Sequence, residues 1–129
     1  MGERIKDPRQ IVLNVCALFE QHRGMEAAEL YFSPDYIEHN PEIPGGNLDG
    51  FKHVLVREGM DRPRGKEVKL SVLHVVAEGD DVGVHMLCEQ PNSPPLMIME
   101  LYRVKDGLIV EHWDTMRLMP EEPLKPNVV

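Results

Sequence analysis

His74, His85, Glu100, His112 and Asp114 all fall within stretches of apolar residues, where a plain hydrophobic core would not want them. Glu100 is the sharpest case, set in Leu96-Met97-Ile98-Met99-Glu100-Leu101-Tyr102. A carboxylate in such a run either faces solvent from a half-exposed strand or is enclosed. If enclosed, it must be paired, hydrogen-bonded or protonated. Histidines and carboxylates together are the groups of general acid–base catalysis. Other chemistries lack their signatures. The chain has no HExxH, no glycine-rich phosphate loop and no GxSxG, and neither cysteine sits in a nucleophile motif. A metal site also lacks a local signature, so it would have to be assembled from the six histidines across strands.

Which of these side chains share a face depends on the turn at Lys105-Asp106-Gly107. With a two-residue loop at Asp106-Gly107, Glu100 lies opposite Trp113 and the two line a pocket together. With a three-residue loop and a bulge at Gly107, Glu100 faces His112 and Asp114 lies on the same side, forming an acid–base cluster. Both loops suit this sequence.

The elements that must position these groups follow from periodicity. Asp7-Pro8-Arg9-Gln10 reads as an N-cap, a first-turn proline and a capping-box glutamine. Ile11, Val12, Val15, Leu18 and Phe19 then recur at helical spacing, with Gly24 as terminator. A short second helix is expected over 25–32, a brief extended piece over 35–40 ended by Pro41, a loop at 44–47, and a third helix over 49–58 closed by Gly59. From Lys66 the period changes to that of strands. One runs through Val68, Leu70 and Val72 and, after an irregularity, Val75. Others cover 82–89, 96–104 and 108–118. Helices followed by a strand meander predict an α+β fold with helices covering one face of an antiparallel sheet.

A chain of 129 residues is the usual size of one domain, here expected to have its core over 8–118 and an extended, proline-rich tail over 119–129. The tail is either disordered or laid across a neighbouring subunit. A net charge of −8 with no Lys/Arg cluster argues against a nucleic-acid partner. No stretch approaches the ~20 apolar residues of a membrane span. The first residues lack a secretory apolar core, and Lys6 breaks a myristoylation motif. Cys16 and Cys88 read as buried reduced thiols rather than a disulfide, and the expected compartment is the cytoplasm. The eight methionines suit a core, an adaptable pocket lining or a soft interface.

Two segments resemble signature blocks of the SnoaL-like polyketide cyclases in the nuclear transport factor 2-like superfamily. One is Tyr36-Ile37-Glu38-His39-Asn40-Pro41, followed by Asp49-Gly50. The other runs from Glu100 through the hairpin to Glu111-His112-Trp113-Asp114. The resemblance implies a cone-shaped, strongly curved antiparallel sheet with N-terminal helices enclosing a pocket, usually in a homodimer. It also implies cofactor-free acid–base catalysis on a hydrophobic carbonyl compound, of aldol-cyclase or isomerase type. By the same resemblance Glu100 is the catalytic acid/base and His85 its helper, while Tyr36, His39, Asn40, His112, Trp113 and Asp114 are candidate substrate contacts. For each contact a packing role is the alternative. The family usually has Asp at Glu100, and the added methylene moves the carboxylate by ~1.5 Å. Such a shift is either absorbed by a different substrate or marks lost activity. A binding module without chemistry, and a hydrolase or dehydratase, are the rival readings on the same fold.

Overall fold

The computed structural model describes residues 5–58, 60–61 and 68–120. Helix α1 spans Pro8–Glu20, with Asp7 as N-cap accepting from the Gln10 backbone N–H at 3.0 Å. The Gln10 side chain turns to Asn14 instead of closing a capping box. Ile11, Val12, Val15, Cys16 and Phe19 form the buried face, as the spacing predicts. Gly24 does not terminate this helix: His22 makes the reversal with φ 58, and Gly24 opens α2, Gly24–Tyr31. There its N–H donates to the Met60 carbonyl at 2.9 Å. Helix α3 covers Leu48–Arg57, capped by the Asn47 side chain on the Gly50 N–H. The expected closure at Gly59 and residues 121–129 of the tail expected over 119–129 lie outside the described residues, while Met119 at its start is buried and donates its N–H to the Pro95 carbonyl.

Five strands follow from the same chain: β1 Phe32–Glu38, β2 Lys69–Glu78, β3 Asp81–Glu89, β4 Leu96–Lys105 and β5 Leu108–Leu118. Their order in the sheet is β1-β5-β4-β3-β2. The expected all-antiparallel sheet is in fact mixed, because β1 pairs parallel to β5. The chain between them carries α3 and three strands, ample length for the crossover that a parallel pair needs. The irregularity expected in β2 is present between Val72 and His74.

The β4–β5 hairpin follows neither expected register. Asp106 (φ 52) and Gly107 (φ 81) make a two-residue turn with both central residues left-handed, the type I′ geometry that matches strand twist. Lys105 and Val104 face Leu108 and Ile109, but Arg103 then faces Glu111. The intervening Val110 is the extra residue of a bulge. Beyond it Tyr102 faces His112 and Glu100 faces Asp114.

Helix α1 packs over the inner face of this curled sheet, where Val82, Val84, Tyr102, Val104 and Ile109 join its apolar face in one core. Phe32, Tyr36 and Phe51 interlock beside it, with Phe32 5.0 Å from each of the other two rings. Among the described residues no helix is long and apolar enough to cross a membrane. The entry to α3 is tight: a Cβ on Gly50 would fall 1.7 Å from the Pro44 carbonyl oxygen. Gly50→Ala should therefore cost about 1–3 kcal/mol through forced backbone movement, measured as a lower midpoint in urea unfolding. An unchanged midpoint would show that the 44–50 turn is not constrained.

Candidate active site

Alternation along three adjacent strands brings one set of polar side chains to the inner face. Tyr36 and Glu38 come from β1, with Asn40 just beyond its end. Glu100 and Tyr102 come from β4, and His112 and Asp114 from β5. All but Tyr36 line a cavity of about 340 Å³ whose remaining wall is mainly apolar, including Phe51, Leu55, Leu70, Met86 and Ile98.

His112 is the hub. Its Nδ1 lies 2.9 Å from both oxygens of buried Glu38. Glu38 also accepts from the Tyr36 hydroxyl at 2.6 Å and from the Asn40 backbone N–H at 3.2 Å. On the other side, His112 Nε2 is 3.5 Å from Glu100 Oε1 and has no hydrogen-bond partner among the described residues. Tyr102 stacks on the imidazole at 4.5 Å and donates its hydroxyl to Glu100 Oε2 at 2.8 Å. Asn40 Nδ2 reaches Asp114 Oδ2 at 3.4 Å.

This packing sets the charges. Burial alone would lower the His112 pKa, but the Glu100 and Glu38 carboxylates on either side push it up to about 10. Burial alone would raise Glu38, yet its bonds from His112, Tyr36 and Asn40 hold it below its ordinary value. Asp114 is raised by burial, with His112 opposing and Glu100 and Glu38 adding to the rise. Burial raises both Tyr36 and Tyr102, and the neighbouring carboxylates add to it, so they act as neutral donors. Cys16 and Cys88 are free, buried thiols, and burial with nearby carboxylates pushes Cys16 up to about 12, away from nucleophilic use.

The structure therefore brings Glu100, Asn40, His112 and Asp114 to one cavity, with Tyr36 behind them holding Glu38. His85 is not among them. Val84 and Met86 are buried on the inner face, so the residue between them points outward. There His85 Nδ1 lies 3.0 Å from His74 Nδ1 with the rings stacked, and it cannot assist Glu100 from the opposite face of the sheet. His39 and Trp113 are also outside the cavity. Their rings stack at 4.6 Å, His39 pairs with Glu111, and Arg103 sits over the indole. Glu38 and Tyr102 are site residues that sequence reasoning missed. Both lie two positions from a named candidate, which is the spacing of one strand face.

Solved structures of NTF2-like proteins share this fold of a curled sheet with covering helices. One such protein of unknown function from Cytophaga hutchinsonii superposes with a TM-score of 0.71 at 15% identity, over 91% of this chain and 95% of that one. The family profile described as SnoaL-like domain matches residues 12–112, and the chain belongs to that family. IdmH, a proposed polyketide cyclase from Streptomyces antibioticus, gives a TM-score of 0.67 at 20% identity, covering 85% of this chain and 91% of its own. A proposed ketosteroid isomerase from Kribbella flavida gives 0.67 at 18%, covering 93% and 84%. These likenesses are of fold. A sequence search of curated proteins finds no significant match.

The buried pair makes stability depend on pH in two windows. The His112 contribution is complete below the ordinary histidine value of 6.5 and is lost as pH rises through about 10. Glu38, held below its ordinary value, contributes above 4.5 and loses that contribution as pH falls through its lowered pKa. Removing one partner of a buried pair costs about 3–5 kcal/mol. Glu38→Ala should cost that much near neutrality and move the alkaline loss to lower pH, followed by calorimetry from about pH 3 to about pH 11 so that both windows are crossed. An alkaline limb identical to that of the parent protein would remove the pair as its cause.

Proposed function

We propose that this SnoaL-like protein carries out acid–base chemistry on a hydrophobic carbonyl compound, of the cyclase or isomerase type. The observation that carries the reading is the His112 Nε2, 3.5 Å from Glu100 and without a hydrogen-bond partner among the described residues, at a largely apolar cavity. The cavity volume falls at the lower end of the ~300–1,000 Å³ typical of small-molecule sites.

Glu100 takes a proton from the carbon next to the carbonyl. The C–H electron pair becomes the enolate C=C bond, and negative charge moves onto oxygen. His112, protonated because two carboxylates flank it, donates Nε2–H to that oxygen, the role of an oxyanion hole. The enolate carbon then attacks an internal carbonyl, whose π pair moves onto its oxygen and takes the proton from Glu100, or the enolate takes that proton back at another carbon. Tyr102 fixes one Glu100 oxygen and leaves Oε1 for the substrate. Glu38 positions His112, which takes the part expected of His85. The longer Glu100 side chain is served by the same tyrosine anchor.

The test uses an enolisable bicyclic ketone in D2O, with α-hydrogen exchange followed by NMR. Glu100→Gln should slow exchange by about 100-fold or more while ligand binding persists. Full exchange by that variant sinks the assignment. Binding by the parent protein without exchange favours the binding-module reading.

We also propose the homodimer that the family resemblance implies, formed through the outer sheet face. Val76, Gly83 and Leu101 form one cross-strand row there, and His74, His85 and Met99 the next. Val76 is 71% exposed and Met99 48%. An apolar face of this kind on a folded domain marks an interaction surface. Sedimentation velocity should give a dimer that Met99→Glu weakens by about tenfold or more. A monomer at all concentrations would refute the pairing.

A further inference from the structure

Glu100, His112 and Asp114 each offer one ligand atom within 4.8 Å of the others. The count of charges around them is unbalanced. Three carboxylates, from Glu38, Glu100 and Asp114, surround one imidazole inside a mostly apolar wall. Arg57, which also lines the cavity, has its guanidinium on Glu58 at the exposed end of α3. Uncompensated negative charge in such a place costs free energy unless a proton or a cation relieves it.

From this geometry we propose that Glu100, His112 and Asp114 form a binding site for one divalent transition cation of the zinc or cobalt class. The inference goes beyond the acid–base reading and does not rest on it. Two further features point to a ligand. His112, which lines the cavity, is 4% exposed, and its buried Nε2 has no hydrogen-bond partner among the described residues. Its 3.5 Å separation from Glu100 Oε1 is long for a hydrogen bond. It is close to the edge of about 3.4 Å between donors sharing a tetrahedral ion at ~2.1 Å. The surroundings have the pattern of a metal-binding histidine: Glu38 holds Nδ1–H and leaves the Nε2 lone pair for the ion. Tyr102 and Asn40 orient Glu100 and Asp114 in the same way.

One imidazole nitrogen and two carboxylate oxygens suit a borderline ion such as zinc or cobalt better than a soft one, and three protein ligands leave further coordination positions for water or a ligand. The ion replaces the proton on Nε2, so cation and proton compete for the same lone pair. Cation binding thus removes the Nε2–H donor that the acid–base reading uses, and binding is measured directly, without reference to turnover.

Chelator-treated full-length protein is titrated with ZnCl2, CoCl2 and MgCl2 by calorimetry, and cobalt binding is also followed by visible absorption. The expected result is one Zn2+ or Co2+ per chain, a visible cobalt band, and Mg2+ at least about tenfold weaker. Asp114→Asn should weaken Co2+ binding by about 100-fold, and Glu38→Gln by about 10–100-fold through the loss of its hold on Nδ1. His85→Ala, which breaks up the histidine pair on the outer face, should leave binding unchanged. Melting curves establish that each variant is folded, and if Asp114→Asn is not, Glu100→Gln takes its place. No saturable Zn2+ or Co2+ binding below about 1 mM overturns the proposal. So does affinity undiminished in Asp114→Asn, or lost only in His85→Ala.

Discussion

The contact between Glu38 and His112 joins the seam on which the site depends. The two residues are Cα partners across the parallel β1–β5 pairing, and the His39 N–H bonds the His112 carbonyl at 3.0 Å just beyond. A parallel edge strand of this length is a weak attachment by backbone alone. Here it is reinforced by a side-chain pair with almost no solvent access, and buried pairs hold their geometry because neither charge can be left alone. Without β1 in that register, His112 would lose its Nδ1 partner, and Asp114 would lose the amide of Asn40.

That seam separates two environments with different chemistry. On the inner face, Tyr36, Glu38, Glu100, Tyr102, His112 and Asp114 sit with little or partial solvent access, and each bond between them is worth more than it would be in water. On the outer face, the row Ile37, Glu111, Arg103 and Asp81 carries ordinary ion pairs, Arg103 binding both acids. Such half-exposed pairs contribute little to stability. The same strands therefore hold a buried, mutually hydrogen-bonded polar set beside half-exposed ion pairs. Parity along each strand decides which is which.

Much of this was legible in the sequence, and parity explains most of what was not. Five side chains stood out because a polar group within an apolar run requires a reason; Glu100, His112 and Asp114 reach the cavity, while His74 and His85 pair on the outer face. The helices and most strands followed from periodicity, from the Asp7 cap and from the hairpin signal at Lys105-Asp106-Gly107, whereas the Asn47 cap of α3 came only from the structure. The hairpin register did not, because the extra residue at Val110 leaves no turn-residue signature and each loop length alone gives the wrong partner for Glu100. His85 was chosen by family resemblance at the level of a strand, yet a single step along β3 reverses the face. Trp113 and His39 failed for the same reason. Glu38 escaped notice because its partner lies 74 residues away in a parallel pairing, which no local pattern announces.

The family's usual Asp at the position of Glu100 can be weighed against what surrounds it. A longer carboxylate has an additional rotatable bond, and a group placed for proton transfer must be held to within a fraction of an ångström. In this chain the Tyr102 hydroxyl, two residues along the same strand face, binds Glu100 Oε2, and the Tyr102 ring stacks on His112. The glutamate is therefore tethered by a residue that is itself fully packed. Its reach is set by tyrosine geometry rather than by its own torsions. The departure from Asp thus comes with its own restraint.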